Sequence, residues 1–169
     1  MIMDRRGFLA RSATAALAGG AGFGLLSALG CSGGTGSVPA PSGLPWGSLA
    51  RSLSGSLVLP DDPAFAALAL PNNLRYASRV PAGIALCRNA ADVSASILWA
   101  REHGVPLVAR NGGHSYAGYS TTTGLMIDLT TMASFAFDHA TGIATLGGGA
   151  KNREIFSECR KLDVAITHG

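Results

Sequence analysis

The sequence predicts an α+β fold for the globular part of the chain, on three observations. A strand, a helix and a second strand follow one another between residues 84 and 110. A third strand comes next, and then two strands joined by a tight turn. A second helix ends the pattern, so the helices and strands alternate at first and are segregated later.

Length and composition allow one domain with a tail. The chain has 169 residues, of which 47% are hydrophobic and 14% charged, so a packed core is expected. The net charge is +3, but the basic residues form no cluster beyond residues 5–11, which argues against nucleic-acid binding. Three cysteines, Cys31, Cys87 and Cys159, form no CxxC pair, and the histidines lack ligand spacing. We therefore predict no metal site and no disulfide framework.

Residues 1–31 have the features of an export signal. The pair Arg5-Arg6 precedes "GFL", and an uncharged run rich in Ala, Gly and Leu follows from Ser12 to Gly30. The run is too weakly apolar to indicate a membrane span. The segment resembles a twin-arginine signal peptide, the alternatives being an ordinary secretory signal or a short anchor. The resemblance implies export of a folded protein, often with its cofactor loaded, to the periplasm, the cell exterior or a lipid anchor.

Cys31 follows "ALG" and resembles a lipoprotein processing site, although Ala28 stands where that pattern favours Leu. A lipid on Cys31 would anchor the protein to the membrane, and cleavage nearby without a lipid is the alternative.

Residues 32–73 are predicted to be a linker and a lead-in. The linker is rich in Gly, Ser and Pro. Residues 46–75 show helical spacing that prolines interrupt, and we expect them to pack on the domain.

Five strands are predicted from residue 74 onward. They comprise residues 84–87, "VPLVAR" (105–110), "GLMIDLT" (124–130) and two strands within 134–149 that flank a turn at 138–142. A helix joins the first two strands. We therefore expect those two strands to be parallel, with a right-handed crossover.

The first helix has recognisable ends. Asn89 is its predicted N-cap, Asp92 lies three residues on, and Gly104 lies just past its end. Its apolar residues fall on one face, namely Val93, Ile97 and Ala100. The sequence therefore predicts an amphipathic helix.

The second helix is predicted over "KNREIFSECRKL", residues 151–162. Its apolar residues have helical spacing, namely Ile155, Phe156, Cys159 and Leu162. This places Cys159 in the core, and Cys87 lies in a buried strand. Because free cysteines are commonly buried, we predict structural roles for both.

The loop "RNGGHSYAGYS", residues 110–120, holds the candidate site. It follows a strand of the parallel pair, at the strand end where α/β sheets bind ligands. Gly112 and Gly113 allow a positive φ and a close approach of the backbone to a ligand. Consecutive amides can then form an anion site to which Ser115 adds a hydroxyl. The pattern predicts a phosphate-binding loop, in which His114 has either a chemical role or only a turn-capping role.

Residues 74–169 resemble the N-terminal part of the FAD-binding domain of the vanillyl-alcohol oxidase type, also called the PCMH type. The specific motifs are "RNGGHS" and, further on, "MIDL". The resemblance is closest to oxidases that are like the berberine bridge enzyme. It implies an N-terminal βαβ subdomain followed by the start of a second α/β subdomain.

The resemblance also implies the site residues. In that family the histidine of the GGHS loop carries the flavin through an 8α-methyl bond, which here is His114. The surrounding residues would cradle the FAD pyrophosphate, namely Arg110, Asn111, Gly112, Gly113, Ser115, Gly118 and Tyr119. The two tyrosines Tyr116 and Tyr119 are expected to pack in the domain or to contact the cofactor.

The implied function is that of an FAD-dependent oxidase. It would transfer a hydride from an alcohol or sugar-type substrate to FAD, and the electrons would pass to oxygen to give hydrogen peroxide. The alternative is an exported module that holds a flavin or a phosphate and catalyses nothing. The catalytic base and a second, cysteinyl flavin link belong to segments that would follow Gly169, so no residue is assigned to either. We expect the chain to be a fragment, or the product of a truncated gene, of a longer enzyme.

Overall fold

The computed structural model describes residues 43–167. The predicted signal peptide (residues 1–31, with Arg5, Arg6 and Cys31) and the first part of the linker lie outside the described residues, as do residues 168 and 169. No helix in the described part of the chain has the length and apolar character needed to cross a membrane.

The fold is mixed α+β, as predicted. The elements in chain order are helix α1 (Trp46–Ser52), strand β1 (Ser56–Val58), helix α2 (Phe65–Ala69), a 3-10 turn (Leu74–Tyr76), strand β2 (Gly83–Leu86), helix α3 (Ala90–Glu102), strands β3 (Leu107–Arg110), β4 (Leu125–Asp128), β5 (Phe135–Asp138) and β6 (Ile143–Leu146), and helix α4 (Asn152–Lys161). The first four strands form one sheet, and β5 and β6 form a second. The assignment of the second sheet and α4 to the start of a second subdomain stays a prediction.

The larger sheet has the strand order β1-β2-β4-β3. Strands β2 and β3 both run parallel to β4. The predicted parallel direction of β2 and β3 is therefore confirmed, but β4 lies between them. The lead-in contributes more than packing, because β1 pairs antiparallel with β2 at the edge of this sheet.

Side chains that alternate along β2 and β4 fill two hydrophobic clusters, one on each face of the sheet. On one face, Ala85 and Ile127 lie in a cluster with Leu49 of α1 and with α3. On the other face, Ile84 and Met126 pack with residues of α2. The lead-in helix α1 is thus part of the core, since Leu49 is fully buried.

Helix α3 begins and ends where predicted. The Asn89 side chain accepts a hydrogen bond from the backbone N–H of Asp92 at 2.9 Å, and Gly104 follows the helix with φ +62°. The predicted buried face was partly wrong, because Ile97 is 43% exposed. The residues that α3 buries are Asp92, Ser96, Trp99 and Ala100. Polar contacts to the lead-in orient this face, including a bond from Trp99 Nε1 to the hydroxyl of Ser48 at 3.0 Å.

Helix α4 buries a narrower stripe than predicted. Ile155 and Cys159 are buried, whereas Phe156 is 51% exposed and Leu162 is 37% exposed. Only one line of the helix is therefore covered within the described part of the chain. The predicted burial of Cys159 is confirmed, as is that of Cys87.

The hairpin of β5 and β6 turns where predicted. The carboxylate of Asp138 accepts hydrogen bonds from the hydroxyl of Thr141 at 2.7 Å and from the N–H of Ala140 at 2.9 Å. These two bonds hold the pKa of Asp138 below its ordinary value. Gly142 completes the turn with φ +70°.

Candidate functional site

The candidate loop joins β3 to β4 at the edge where the three parallel strands end. Gly113 has φ +71° and Gly118 has φ +75°, in the left-handed region that favours glycine. Gly112 does not share this conformation, so the prediction of a positive φ was correct for Gly113 and wrong for Gly112. Gly112 is needed for another reason, which concerns His114.

Gly112 leaves room for the imidazole of His114. A Cβ atom built on Gly112 would lie 2.6 Å from Nδ1 of His114, which is closer than real Cβ contacts. The imidazole is exposed, and neither of its nitrogens makes a hydrogen bond within residues 43–167. The alternative in which His114 caps the turn through a hydrogen bond therefore has no support in this part of the chain.

Side chains bind the loop through its carbonyl groups. Asn72 Nδ2 donates to the carbonyl of Gly112 at 2.6 Å, and the hydroxyl of Ser120 donates to the carbonyl of Gly113 at 3.1 Å. Further along the loop, Asn73 Nδ2 donates to the carbonyl of Tyr116 at 3.0 Å. Three side chains outside the turn thus hold the loop through hydrogen bonds to its carbonyl groups.

The loop amides point the other way. In a planar trans peptide the C=O and the following N–H point in opposite directions, so binding the carbonyl of Gly112 turns the N–H of Gly113 away from Asn72. The same holds for the carbonyl of Gly113 and the N–H of His114. Over the described range, no group accepts a hydrogen bond from these two amides. Free consecutive amides beside a glycine are the geometry of an anion site.

Asn111 presents an acceptor without a partner. Its Nδ2 donates to the carbonyl of Ala150 at 3.0 Å, while its buried Oδ1 has no hydrogen-bond partner among the described residues. The carbonyl of Ala150 fixes which end of the amide is nitrogen, because the reverse assignment would bring two oxygens together. A buried acceptor of this kind is costly unless a donor reaches it, which favours a ligand with an O–H or N–H group.

Arg110 lies beneath the loop rather than at its surface. It is 7% exposed, and its Nη1 donates to the carbonyls of Ala69 and Leu70 at 3.3 and 3.4 Å. Burial lowers the pKa of Arg110, and the nearby carboxylate of Asp128 partly offsets this. In this arrangement Arg110 joins the first residue of the loop to the end of α2.

The remaining predicted residues lie further along the loop. The hydroxyl of Ser115 accepts a hydrogen bond from the N–H of Tyr119 at 3.0 Å and keeps its own hydrogen to donate. Gly118 is buried against Tyr76, whose ring would lie 2.6 Å from a Cβ at that position. Tyr116 is 92% exposed and Tyr119 is 79% exposed, so neither packs within the described part of the domain.

Three cavities surround the loop. The first, of about 530 Å³, is lined by Asn111, Gly112, His114, Ala150, Lys151, Asn152 and Arg153. The second, of about 390 Å³, lies on the side of Arg110 and Asp128. The third, of about 340 Å³, is lined by Asn72, Asn73, His114 and Tyr116. His114 thus lies between two cavities, at the centre of the site.

Sequence reasoning missed two sets of residues at this site. The first set, Asn72 and Asn73, binds the loop from outside it. The second, Lys151 and Arg153, lies where α4 begins and supplies positive charge on the wall of the first cavity that faces His114. A basic residue following the glycines at 147–149 was visible in the sequence, but nothing there indicated that it would lie beside the loop.

Comparisons with known proteins identify the family of the domain. A family model described as an FAD binding domain matches residues 81–168. The chain is 35% identical over 119 residues to (R)-6-hydroxynicotine oxidase of Paenarthrobacter nicotinovorans, which covers 70% of this chain and 26% of that protein. It is also 35% identical over 74 residues to glucooligosaccharide oxidase of Sarocladium strictum, covering 42% of this chain and 15% of that one.

A solved structure gives the same result for the fold. The chain aligns with Physcomitrella patens BBE-like 1 with a TM-score of 0.57 and 27% identity, over 62% of this chain and 23% of that one. The chain spans about a quarter of the length of the first curated relatives it matches, for example 26% of the nicotine oxidase. The predicted resemblance to FAD-linked oxidases is confirmed. Because the family model matches more than half of its residues, the chain belongs to the FAD binding domain family of the FAD-linked oxidoreductases.

Proposed function

We propose that this chain forms the part of an exported FAD-dependent oxidase that holds the cofactor, with the flavin attached covalently to His114. The observation that carries the proposal is the imidazole of His114, which has no hydrogen-bond partner in the described residues and lies between two cavities beside free loop amides. The alternative role, capping of the turn, would require a hydrogen bond from the imidazole to a backbone group, and the described residues contain none.

The residues present fit the chemical parts of FAD. The amides of Gly113 and His114 suit the negatively charged diphosphate, as does the hydroxyl of Ser115. The orphaned Oδ1 of Asn111 suits a hydroxyl or an N–H group, both of which FAD carries. His114 supplies a nitrogen in reach of the same cavity. We therefore infer that these four residues hold the cofactor.

The protein's contribution at this site is binding and orientation. Bound FAD would accept a hydride from the substrate and pass two electrons to oxygen, which yields hydrogen peroxide. Because Gly112 has no Cβ atom, the His114 imidazole can lie against it. The loop glycines also let the backbone approach the diphosphate. Lys151 and Arg153 add positive charge to the facing wall, which favours an anionic ligand.

The substrate we propose is a small molecule with an oxidisable C–H bond, of the alcohol or sugar type. The name of one relative indicates oxidation of an oligosaccharide and that of another oxidation of a hydroxynicotine, so the relatives support a small organic substrate more firmly than a sugar. Nothing within residues 43–167 assigns a catalytic base. A module that holds a flavin without catalysis is the second candidate, and it is supported by the same loop geometry.

The experiment uses the protein expressed from the whole native reading frame. After acid denaturation, we expect flavin fluorescence to stay with the polypeptide. His114→Ala should lower the covalently bound flavin, to zero if no second link exists. His139→Ala is the matched control, because His139 is exposed on the hairpin, where it contacts the ring of Phe137. Equal covalent flavin in the His114→Ala variant and in the wild type would refute the assignment.

A second measurement separates oxidase from binding module. The loaded protein is tested for peroxide formation with a panel of sugars, alcohols and heteroaromatic hydroxyl compounds. Peroxide with any member of the panel supports an oxidase. A loaded protein that is reduced by none of them supports the non-catalytic module instead.

We also propose that the protein is exported by the twin-arginine route. Replacing Arg5 and Arg6 with lysines should leave the protein in the cytoplasm, folded and containing flavin, as cell fractionation would show. Normal export of this variant would contradict the route. Labelling with a fatty-acid analogue, with Cys31→Ser as the control, decides between a lipid anchor and plain cleavage.

A further inference from the structure

We propose that Asn72 and Asn73 are positioning residues that hold the loop around His114 in the conformation that binds the cofactor. Neither residue belongs to the loop, and both lie in the segment between α2 and β2. The proposal rests on the proposed function, in that the loop is taken to be the cofactor loop. We call the two side chains the asparagine clamp.

The clamp is centred on His114. Asn72 binds the carbonyl of Gly112, which precedes His114 by two residues, and Asn73 binds the carbonyl of Tyr116, which follows it by two. The two donor–acceptor distances are 2.6 and 3.0 Å. Two neighbouring residues therefore fix both sides of the turn that carries the histidine.

The segment that carries the clamp is itself anchored. The Oδ1 atom of Asn73 accepts a hydrogen bond from the N–H of Arg75, so the side chain also caps the following 3-10 turn. Arg110 donates to the carbonyl of Leu70, and Pro71 is buried. The donor groups of the clamp are thus held in place from both ends of a short segment.

The clamp acts on binding more than on folding. Asn72 is exposed, so water can replace its hydrogen bond and little packing is lost when the side chain is changed. The carbonyl of Gly112, however, would be free to rotate, and the N–H of Gly113 would rotate with it. A ligand would then have to order the loop when it binds, and that cost lowers its affinity.

Two isosteric substitutions test the clamp. Asn72→Asp removes the donor to Gly112 without changing the size of the side chain. Asn73→Asp keeps the acceptor that caps the 3-10 turn and removes the donor to Tyr116; like Asn72→Asp and the control below, it also adds one negative charge. Asn89→Asp is the matched control, because it keeps the N-cap acceptor of α3 and loses a bond of the same kind, from Asn89 Nδ2 to the Ser54 hydroxyl at 2.9 Å, away from the loop.

The first readout is the initial rate at which FAD becomes attached to the folded apoprotein, measured over a range of FAD concentrations. We expect each clamp variant to need about tenfold more FAD than the control for the half-maximal rate, as for the loss of one ligand-supporting hydrogen bond. We expect thermal unfolding of the clamp variants and the control to be similar. A clamp variant that loads FAD as the wild type does would overturn the proposal.

The second readout needs no cofactor. Tyr116 and Tyr119 are exposed in the loop, so chymotrypsin, which cleaves after aromatic residues, reports on the loop's mobility in the apoprotein. We expect cleavage there to be several-fold faster in the clamp variants than in the control, at equal thermal stability. If the wild type binds no FAD, the proposed function fails and this readout alone decides the clamp. Unchanged cleavage would overturn the clamp whether or not FAD binds.

Discussion

Arg110 and Asp128 are register partners at the carboxyl ends of the neighbouring parallel strands β3 and β4. The two residues are 7% and 4% exposed. Each side chain also makes hydrogen bonds to residues outside its own strand. Arg110 donates to the carbonyls at the end of α2. The Asp128 carboxylate accepts a hydrogen bond from the N–H of Thr130 at 2.8 Å. The candidate loop therefore starts beside two opposite charges that are buried in the sheet.

Removing one of these charges should destabilise the domain. Arg110→Met removes the hydrogen bonds to Ala69 and Leu70 and the positive charge near Asp128, so we expect a loss of roughly 2 kcal/mol in the free energy of unfolding. Asp128→Asn together with Arg110→Met should cost less than the sum of the two single variants. Urea denaturation of the four proteins measures this coupling, and strict additivity would show that the two charges do not interact.

Gly112→Ala should displace the His114 imidazole without unfolding the loop. Gly112 does not have a positive φ, so the new methyl group causes no backbone strain, but it would meet Nδ1 of His114. We expect unchanged thermal stability and a several-fold slower covalent attachment of flavin. Gly148→Ala is the control, since a Cβ there meets nothing closer than 3.6 Å. Attachment at the wild-type rate in Gly112→Ala would mean that the imidazole position is not constrained by this glycine.

Gly118→Ala should be much more harmful than Gly142→Ala, although both glycines have a φ of about +70° in the structure. At Gly142 a Cβ meets open space, so only the left-handed backbone is penalised, at about 1–2 kcal/mol. At Gly118 the Cβ would also meet the Tyr76 ring. The comparison is made by thermal unfolding, and Tyr76→Ala should recover part of the loss at Gly118. Equal losses at the two glycines would rule out the contact with Tyr76 as the cause.

The buried carboxylate of Asp92 should make stability depend on pH. Burial alone would raise the pKa of Asp92, but hydrogen bonds from Arg88, Ser54 and Gly55 outweigh it and hold the pKa below its ordinary value. A carboxyl whose pKa is lowered by folding stabilises the protein above its unfolded pKa of about 3.9. That stability is lost as the pH falls from this value through the folded pKa.

Asp92→Asn tests this directly. An amide cannot accept all of these bonds, so we expect a loss of at least about 2 kcal/mol at neutral pH. The difference between variant and wild type should shrink as the pH falls below about 4, because the wild-type carboxyl is then protonated. The measurement is chemical denaturation at several pH values. A difference that stays constant with pH would exclude the ionised carboxylate as the source of the stability.

Local features of the fold were predictable from the sequence. The N-cap Asn89, the hairpin turn and the strand segments depend on residues close together in the chain, and the structure confirms them. The position of β4 between β2 and β3 was not predictable, because strand neighbours are set by contacts between distant residues. The exposure of Ile97 was missed for a related reason. The buried face of α3 is chosen by polar bonds to the lead-in, which hydrophobic periodicity does not detect.

At the site, too, features set by neighbouring residues in the sequence were predictable, whereas contacts between distant residues were not. The loop glycines were singled out by their local pattern, and the role of His114 was predicted from the family resemblance. The asparagine clamp was missed because a side chain that binds a backbone carbonyl some forty residues away, as Asn72 does, leaves no periodic trace in the sequence. The orphaned acceptor of Asn111 could be found only from its surroundings.

The central position of β4 has a consequence for how the chain folds as it is synthesised. The strand that joins β2 to β3 is made after both of them, so neither can complete its hydrogen bonds until residue 128 has emerged. Until then β2 has only the short β1 beside it, and the apolar edges of β2 and β3 stay open to pairing with other chains. Folding of this sheet must wait for its last strand, which makes it slow and exposes it to aggregation in the interval. An export route that accepts only folded proteins would give the sheet that time.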